Sequence, residues 1–141
     1  MTCADTITTM FKRYGHLIVM VLALAMVIIA AGCASTISRE TLLEQMSTTA
    51  APVIVDVRSQ GEYDRDHIPG ALHIHFYSIG SGLAEQGLLK QEPIVLYCEH
   101  GPRASIAGIT LFLSGYAKVF SLEGHMKGWR KNGFPIEIIK P

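Results

Sequence analysis

A six-residue segment of the chain combines the residue types that nucleophilic chemistry needs. It consists of Cys98, Glu99, His100, Gly101, Pro102 and Arg103. The segment follows an apolar run at 94–97 and precedes a stretch with helical spacing, so we predict a loop between a strand and a helix. In such a loop the backbone N–H groups converge above the cysteine sulfur, and the helix adds its partial positive charge. Arg103 adds a permanent positive charge, and these effects together favour the thiolate form of Cys98.

The alternative is an unreactive cysteine at the end of a buried strand. Cysteine is common at such positions because it packs like a small hydrophobic residue. Gly101 favours the reactive interpretation, since a glycine lets the backbone fold back without a Cβ clash. The glycine, the basic side chain and the helix start together predict a nucleophilic Cys98.

Strands and helices alternate along the part of the chain that contains this loop. Short β-branched runs typical of buried parallel strands, and other extended stretches, predict strands at 53–57, 71–75, 94–97, 118–121 and a terminal stretch at 135–139. Helical spacing and capping residues predict helices over 39–47 after Ser38, after Ser59 with Glu62 three residues on, from 103 or 104 to 114 before Gly115, and over 123–131. The alternation predicts an α/β fold with a central, mainly parallel sheet flanked by helices. Ligands bind at the carboxyl ends of strands in such sheets, which is where the loop lies.

The first 32 residues have the order of an export signal. Lys12 and Arg13 precede a run from Leu17 to Ala31 that contains no polar residue. As a helix this run would be about 22 Å long, at ~1.5 Å per residue, which is shorter than a hydrocarbon core of about 30 Å. The segment Ala-Ala-Gly-Cys at 30–33 resembles the lipobox of bacterial lipoproteins. The resemblance implies cleavage before Cys33 and acylation of its sulfur.

An uncleaved membrane anchor is the alternative for this segment, because a tilted helix from 15 to 38 could cross a bilayer. Both interpretations place the rest of the chain outside the cytoplasm, on the periplasmic face of the bacterial envelope, since Lys12 and Arg13 stay inside. Ala34 is not the Asp that signals inner-membrane retention in enteric-type lipoproteins, so the outer membrane is favoured. We therefore predict a signal peptide or anchor over 1–32, a tether over 33–37 and one domain over 38–141.

Composition and spacing argue against several other kinds of function. The chain has 12 basic and 12 acidic residues and no long basic stretch, so it lacks the positive surface that nucleic-acid binding requires. Three cysteines, at 3, 33 and 98, have no paired spacing typical of a disulfide scaffold or a zinc site. Only His73 and His75 are close together, with no third ligand, so we predict no metal site and interpret the histidines, His125 included, as core or surface residues.

Several segments together resemble the rhodanese domain, over about residues 38 to 139. The matching segments are Val55-Asp56-Val57-Arg58, Glu62-Tyr63, His67-Ile68-Pro69-Gly70-Ala71, Cys98 with Gly101 and Arg103, and Glu123-Gly124-His125 to Trp129. The resemblance implies a single rhodanese-like domain with sulfurtransferase activity and no metal or organic cofactor. Asp56 and Arg58 are interpreted as a structural ion pair, because a buried charge must be paired.

The resemblance implies that Cys98 takes sulfane sulfur from a donor such as thiosulfate, carries it as a persulfide and passes it to cyanide or a thiol. The N–H groups of residues 99–103 are then expected to bind the substrate anion, with Arg103 orienting the loop and His100 making at most a polar contact. Four residues separate Cys98 from Arg103, whereas related Cys-based phosphatases and arsenate reductases have five, which argues against phosphatase activity. A non-catalytic anion- or partner-binding module at the membrane is the alternative.

Two residues of the loop qualify this expectation. Pro102 has no N–H group, so the loop has one donor fewer. Glu99 places a negative charge beside the sulfur, unless its side chain points outward, and this predicts poor use of thiosulfate. If Cys33 is acylated and Cys3 is removed with the signal, Cys98 is the only free thiol. Function in an oxidising compartment then requires a persulfide, a reducing partner such as a thiol-containing protein, or a shielded pocket.

Overall fold

The structure is a computed structural model, and it describes residues 14–23 and 35–139. The chain divides into two compact units, Met1–Cys33 and Ala34–Pro141. In the first unit residues 14–23 are helical, and the predicted cleavage site with Cys33 lies outside the described residues. Within the described ranges, no helix combines the length and the apolar composition that a membrane crossing requires.

A single parallel sheet organises the described residues of the second unit. Its strands are β1 (Ser35–Ile37), β2 (Val53–Asp56), β3 (Leu72–His73), β4 (Ile94–Tyr97) and β5 (Val119–Leu122). The order across the sheet is β1-β5-β4-β2-β3, and every pairing is parallel. β4 is the central strand and all four of its residues are buried, so the loop that follows it emerges between the ends of β2 and β5.

Helices cover both faces of the sheet. They are α1 (Arg39–Met46), α2 (Gln60–Arg65), α3 (Ile79–Glu85), α4 (Pro102–Leu113) and α5 (His125–Lys131), with a 3₁₀ turn at Phe76–Ser78. One apolar core contains buried side chains of α3 and α4, and a second contains Leu42 of α1 with Met126 and Trp129 of α5. The predicted α/β fold with a parallel sheet between helices is confirmed.

Local capping signals predicted helix starts correctly. The Ser38 side chain accepts a hydrogen bond from the N–H of Thr41 at 3.1 Å, which caps α1. Ser59 and Glu62 form the predicted capping box of α2. α4 begins at Pro102, one residue before the predicted range, because a proline fits the first helical position, where no N–H is needed.

Several elements differ from the sequence-based expectation. The terminal stretch 135–139, expected to be extended, adds no strand to the sheet and makes only an isolated antiparallel bridge between Glu137 and His67. Residues 35–37, expected within the tether, form the edge strand β1 and pair with β5, so the ordered unit begins before residue 38. The strand expected over 71–75 is confined to Leu72–His73. The glycine-rich stretch after it contains α3, in which Gly82 lies so close to Ile74 that a Cβ would be 2.4 Å from its side chain. That glycine therefore serves close packing, and it does not mark a loop.

Candidate active site

The loop between β4 and α4 encloses the sulfur of Cys98. The cysteine is only 1% exposed, and the N–H of Gly101 donates a hydrogen bond to its Sγ at 3.0 Å. Gly101 has φ +124°, a conformation that glycine adopts far more readily than other residues. The start of α4 follows directly, so the sulfur lies at the positive end of a 12-residue helix. A thiolate or persulfide anion is stabilised in this position.

The first residues of α5 hold the backbone of the loop from the other side. The N–H of Met126 donates to the carbonyl oxygen of Cys98 at 2.9 Å, and that of Lys127 donates to the carbonyl oxygen of Glu99 at 3.3 Å. These bonds turn both carbonyls toward α5. The N–H groups of Glu99 and His100 have no acceptor in the described part of the chain, so they remain available to an anion.

Arg103 is fixed between a carboxylate and the nucleophile. Its guanidinium forms two hydrogen bonds with Glu62, at 2.6 and 2.8 Å, and Glu62 is itself held by the N–H and Oγ of Ser59. The ion pair with Glu62 raises the pKa of Arg103, and a smaller contribution comes from its interaction with Cys98. The same pair holds the pKa of Glu62 well below its usual range. Arg103 therefore brings a positive charge to the sulfur in a fixed orientation.

Glu99 points away from the sulfur and into a network of buried ions. Its carboxylate pairs with Arg58 at 3.3 Å and with Arg130, and only 17% of the side chain is exposed. Arg58 also binds Asp56, as predicted for that ion pair, and Asp66. Because two arginines neutralise Glu99, the expected repulsion between its carboxylate and an anionic donor has no support in this geometry.

The other loop side chains lie at the surface. His100 and Pro102 are exposed, and Gly101 is half-buried. Pro102 is the first residue of α4, where its missing N–H costs the helix nothing. A substrate contact by the side chains of Glu99, His100 and Pro102 stays a prediction. The groups that interact with the sulfur are the N–H of Gly101 and the guanidinium of Arg103.

His125 is a site residue that the sequence analysis missed. It is half-buried, and its Nδ1 accepts a hydrogen bond from the N–H of Cys98 at 3.5 Å. Burial, and then the proximity of His100, lower the pKa of His125. Residues 98 and 125 lie on different βα connections, so their contact could be found only from the order of the strands. The one signal in the sequence was the position of His125 in the segment from Glu123 to Trp129.

The described residues contain no group of three or more His, Cys, Asp or Glu side chains that could hold a metal ion. His73 and His75, the pair considered in the sequence, have other contacts. His73 lies 2.9 Å from the carbonyl oxygen of Arg58, and His75 packs against the rings of Phe76 and Tyr77.

Comparisons with known proteins place this site in a family. The profile of the rhodanese-like domain matches residues 38–132. A sulfurtransferase of Allochromatium vinosum is 31% identical over 100 residues, which cover 71% of this chain and 92% of that protein. The thiosulfate sulfurtransferase GlpE of Pseudomonas syringae is 33% identical over 88 residues, which cover 62% of this chain and 80% of that protein.

Solved structures agree with this assignment. A rhodanese-like domain protein from Staphylococcus aureus matches with a TM-score of 0.63 and 27% identity, over 74% of this chain and 97% of that one. A rhodanese-like domain from Anabaena matches with a TM-score of 0.60 and 26% identity, over 68% of this chain and 96% of that one. Both solved chains are therefore matched over nearly their whole length.

Proposed function

The chain belongs to the rhodanese-like domain family, and from this premise we propose that it is a sulfurtransferase that carries sulfane sulfur on Cys98. The observation that carries the proposal is the hydrogen bond from the N–H of Gly101 to the Sγ of Cys98 at 3.0 Å. A backbone donor aimed at the sulfur, at the N-terminus of a helix, stabilises an anion at that atom. A cysteine that only packs in the core needs neither a backbone donor at its sulfur nor a helix N-terminus beside it.

In the first half-reaction the thiolate of Cys98 attacks the outer sulfur of a donor. With thiosulfate, a bond forms between the two sulfurs, the sulfur–sulfur bond of the donor breaks, and sulfite leaves with the electron pair. The negative charge moves to the new terminal sulfur of a persulfide. The free N–H groups of Glu99 and His100 and the guanidinium of Arg103 are the donors available to stabilise it.

In the second half-reaction the acceptor attacks the terminal sulfur of the persulfide. Cyanide leaves as thiocyanate, or a thiolate leaves as a new persulfide, and the thiolate of Cys98 is regenerated. Thiosulfate or a persulfide is the donor that this site would take, and a small thiol or a thiol-containing protein is the acceptor besides cyanide. None of these steps needs a metal or an organic cofactor.

The test is the intact mass of residues 34–141 before and after a donor, and again after cyanide. This unit has its own sheet and cores, and chains of similar extent have been crystallised, so it folds alone. The expected result is a gain of one sulfur, about 32 Da, that cyanide removes and that Cys98→Ser never acquires.

The donors used separate the possible results. If a polysulfide transfers sulfur to Cys98 and thiosulfate does not, the protein is still a sulfurtransferase, but its donor is not thiosulfate. No gain with thiosulfate, a polysulfide or a low-molecular-weight persulfide would overturn the proposal in favour of a non-catalytic anion- or partner-binding module.

We also propose that Cys33 is acylated and tethers this domain to a membrane of the bacterial envelope, on its periplasmic face. The support is the order of basic residues, apolar run and small residues before Cys33. An uncleaved anchor at 1–32 is the alternative. In such an oxidising compartment the burial of Cys98, which is 1% exposed, would protect it from overoxidation between turnovers.

A further inference from the structure

His125 has a backbone conformation that is unusual for its residue type. Its φ is +51°, and every other residue with positive φ in the described ranges is a glycine. A residue with a Cβ is strained in this left-handed region, although Asn, Asp and His tolerate it better than most. Such strain persists where the surrounding structure holds the residue in place, and it is concentrated at functional sites. The side chain therefore has a task that a glycine could not perform.

The contacts of the imidazole identify this task. Nδ1 accepts the hydrogen bond from the N–H of Cys98, so the neutral ring carries its proton on Nε2. Nε2 lies against Gly101, where a Cβ would be only 2.9 Å away. The ring thus touches the nucleophile's own backbone and the residue whose N–H holds the sulfur. The other clamping bonds, from Met126 and Lys127, are made by backbone groups and do not depend on residue type.

We propose that His125 is a positioning residue of the sulfur-transfer site, whose neutral imidazole holds Cys98 and Gly101 in the geometry that supports the persulfide. This inference rests on the sulfurtransferase function proposed above. The ring acts through the loop, and the transfer itself needs no proton from it. Without the ring, the N–H of Cys98 loses its acceptor and Gly101 is free to shift away from the sulfur.

Protonation of His125 would disrupt the same contact. An imidazolium has a proton on Nδ1, which would then face the N–H of Cys98 as donor against donor. The titratable groups that face the ring are Cys98, whose N–H the ring binds, and His100, both on the loop, while the Glu99 carboxylate is turned toward Arg58 and Arg130. Burial and His100 both favour the neutral form, so the contact persists until the pH falls below about 6.5, the ordinary pKa of histidine.

Three substitutions in residues 34–141 separate positioning from simple packing. His125→Ala removes the ring and keeps the backbone strain, and His125→Gly removes both. His125→Asn keeps a side-chain acceptor at the position of Nδ1 and tolerates positive φ. We expect the Gly variant to unfold at a higher temperature than the Ala variant. We also expect both to transfer sulfur about tenfold to a hundredfold more slowly than the wild type, with the Asn variant close to the wild type.

The pH profile provides the readout that a structural role would not change. The single-turnover rate of the wild type should fall as the pH drops through the lowered pKa of His125, whereas the Asn variant should lack this fall. Equal rates in wild type, Ala and Gly variants, or parallel pH profiles in wild type and Asn variant, would overturn the proposal. So would an Asn variant as slow as the Gly variant.

The failure of the underlying function would be recognised separately. If the wild type takes up no sulfur from any donor, the rate of Cys98 alkylation by iodoacetamide replaces transfer as the readout, because Cys98 is the only cysteine in residues 34–141. A step below pH of about 6.5 in the wild-type profile that the Asn variant lacks would keep His125 as a positioning residue of the loop. Identical alkylation profiles would overturn that role as well.

Discussion

At the scale of single residues, the direction of a charged side chain decides what the charge does. Glu99 is next to the nucleophile in the sequence, but its carboxylate is bound by Arg58 and Arg130. We expect Glu99→Gln to give no gain in thiosulfate turnover and to lower the free energy of unfolding by about 1–3 kcal/mol, because two arginines lose a charged partner. Steady-state kinetics with thiosulfate and urea unfolding check this.

Glu99→Asp is the matched control, since it keeps the charge and shortens the side chain. It should lose part of the stability and leave turnover with thiosulfate near the wild-type value. A several-fold gain in turnover for the Gln variant at unchanged stability would mean that the carboxylate faces the donor after all.

The ion pair between Glu62 and Arg103 predicts a pH dependence of stability. The folded-state pKa of Glu62 is lowered from its unfolded value of about 4.3, first by the hydrogen bond from Arg103. The pair therefore stabilises the fold fully above that value and loses its contribution as the pH falls toward the lower folded pKa. We expect Glu62→Gln to be about 1–2 kcal/mol less stable than wild type at neutral pH, with a smaller difference at about pH 3.

Urea unfolding at both pH values measures this difference. Glu44→Gln, at an exposed position of α1, is the control and should show no such pH dependence. A difference between wild type and Glu62→Gln that stays constant down to about pH 3 would show that the pKa of Glu62 is not lowered by folding.

The residues of the loop could be predicted because their chemistry is local. Cys98, Gly101 and Arg103 are close together in the sequence. The tight turn at Gly101 and the start of the following helix could be predicted from their residue types. The role of His125 and the direction of Glu99 could not be predicted, because each depends on residues far away in sequence, such as Cys98 for the former and Arg58 for the latter.

At the scale of elements, α4 presents an unexpected face to the core. Its apolar pattern suggests that the large side chains are buried, but Ile106, Ile109 and Leu113 are at least half exposed. The buried face instead consists mainly of small residues, Ala104, Ala107 and Gly108, together with Leu111. Small residues let the helix lie close to the sheet, and that brings its N-terminus to the sulfur of Cys98.

Two leucines of α4 provide a matched pair for this arrangement. Leu111 is 0% exposed and Leu113 is 74% exposed. We expect Leu111→Ala to lower the free energy of unfolding by about 2–5 kcal/mol through lost burial and a cavity, and Leu113→Ala to change it by less than about 0.5 kcal/mol. Urea unfolding of both variants is the measurement. Similar losses of stability for the two variants would contradict the exposed position of Leu113.

Elements that depend on local capping were predictable, and those that depend on distant partners were not. Ser38 and the Ser59–Glu62 box mark helix starts by short-range hydrogen bonds. β1 is a strand because it pairs with β5. α3 is a helix in which Gly82 packs closely against the side chain of Ile74. Neither partner is visible from the residues of the element itself.

At the scale of the whole molecule, the order of the strands explains why the site is assembled from separate segments. β4 lies between β2 and β5, so the connection after each of the three strands reaches the same edge of the sheet. The first supplies Arg58 and Glu62, the second Cys98 and Arg103, and the third His125. The sequence predicted the parallel sheet, whereas the order of its strands, and with it the meeting of these three connections, comes from the structure.

The proposed tether makes a prediction for the complete chain in a Gram-negative host. If Cys33 is acylated after cleavage, the wild-type protein should be recovered from the membrane fraction with an N-terminus at Cys33 and the added mass of lipid. Cys33→Ser should stay as the uncleaved precursor without lipid, because the serine has no sulfur to acylate. Intact mass and N-terminal sequencing of both proteins are the measurements.

Cys3→Ser is the control, and it should behave like the wild type because position 3 lies within the removed segment. If both the wild type and Cys33→Ser are membrane-bound and begin at Met1, the result would favour an uncleaved anchor over lipidation. Protein that begins at Met1 and stays in the cytoplasmic fraction would overturn both interpretations. Cys98 would then work in a reducing compartment, where thiols keep it reduced without the protection of its burial.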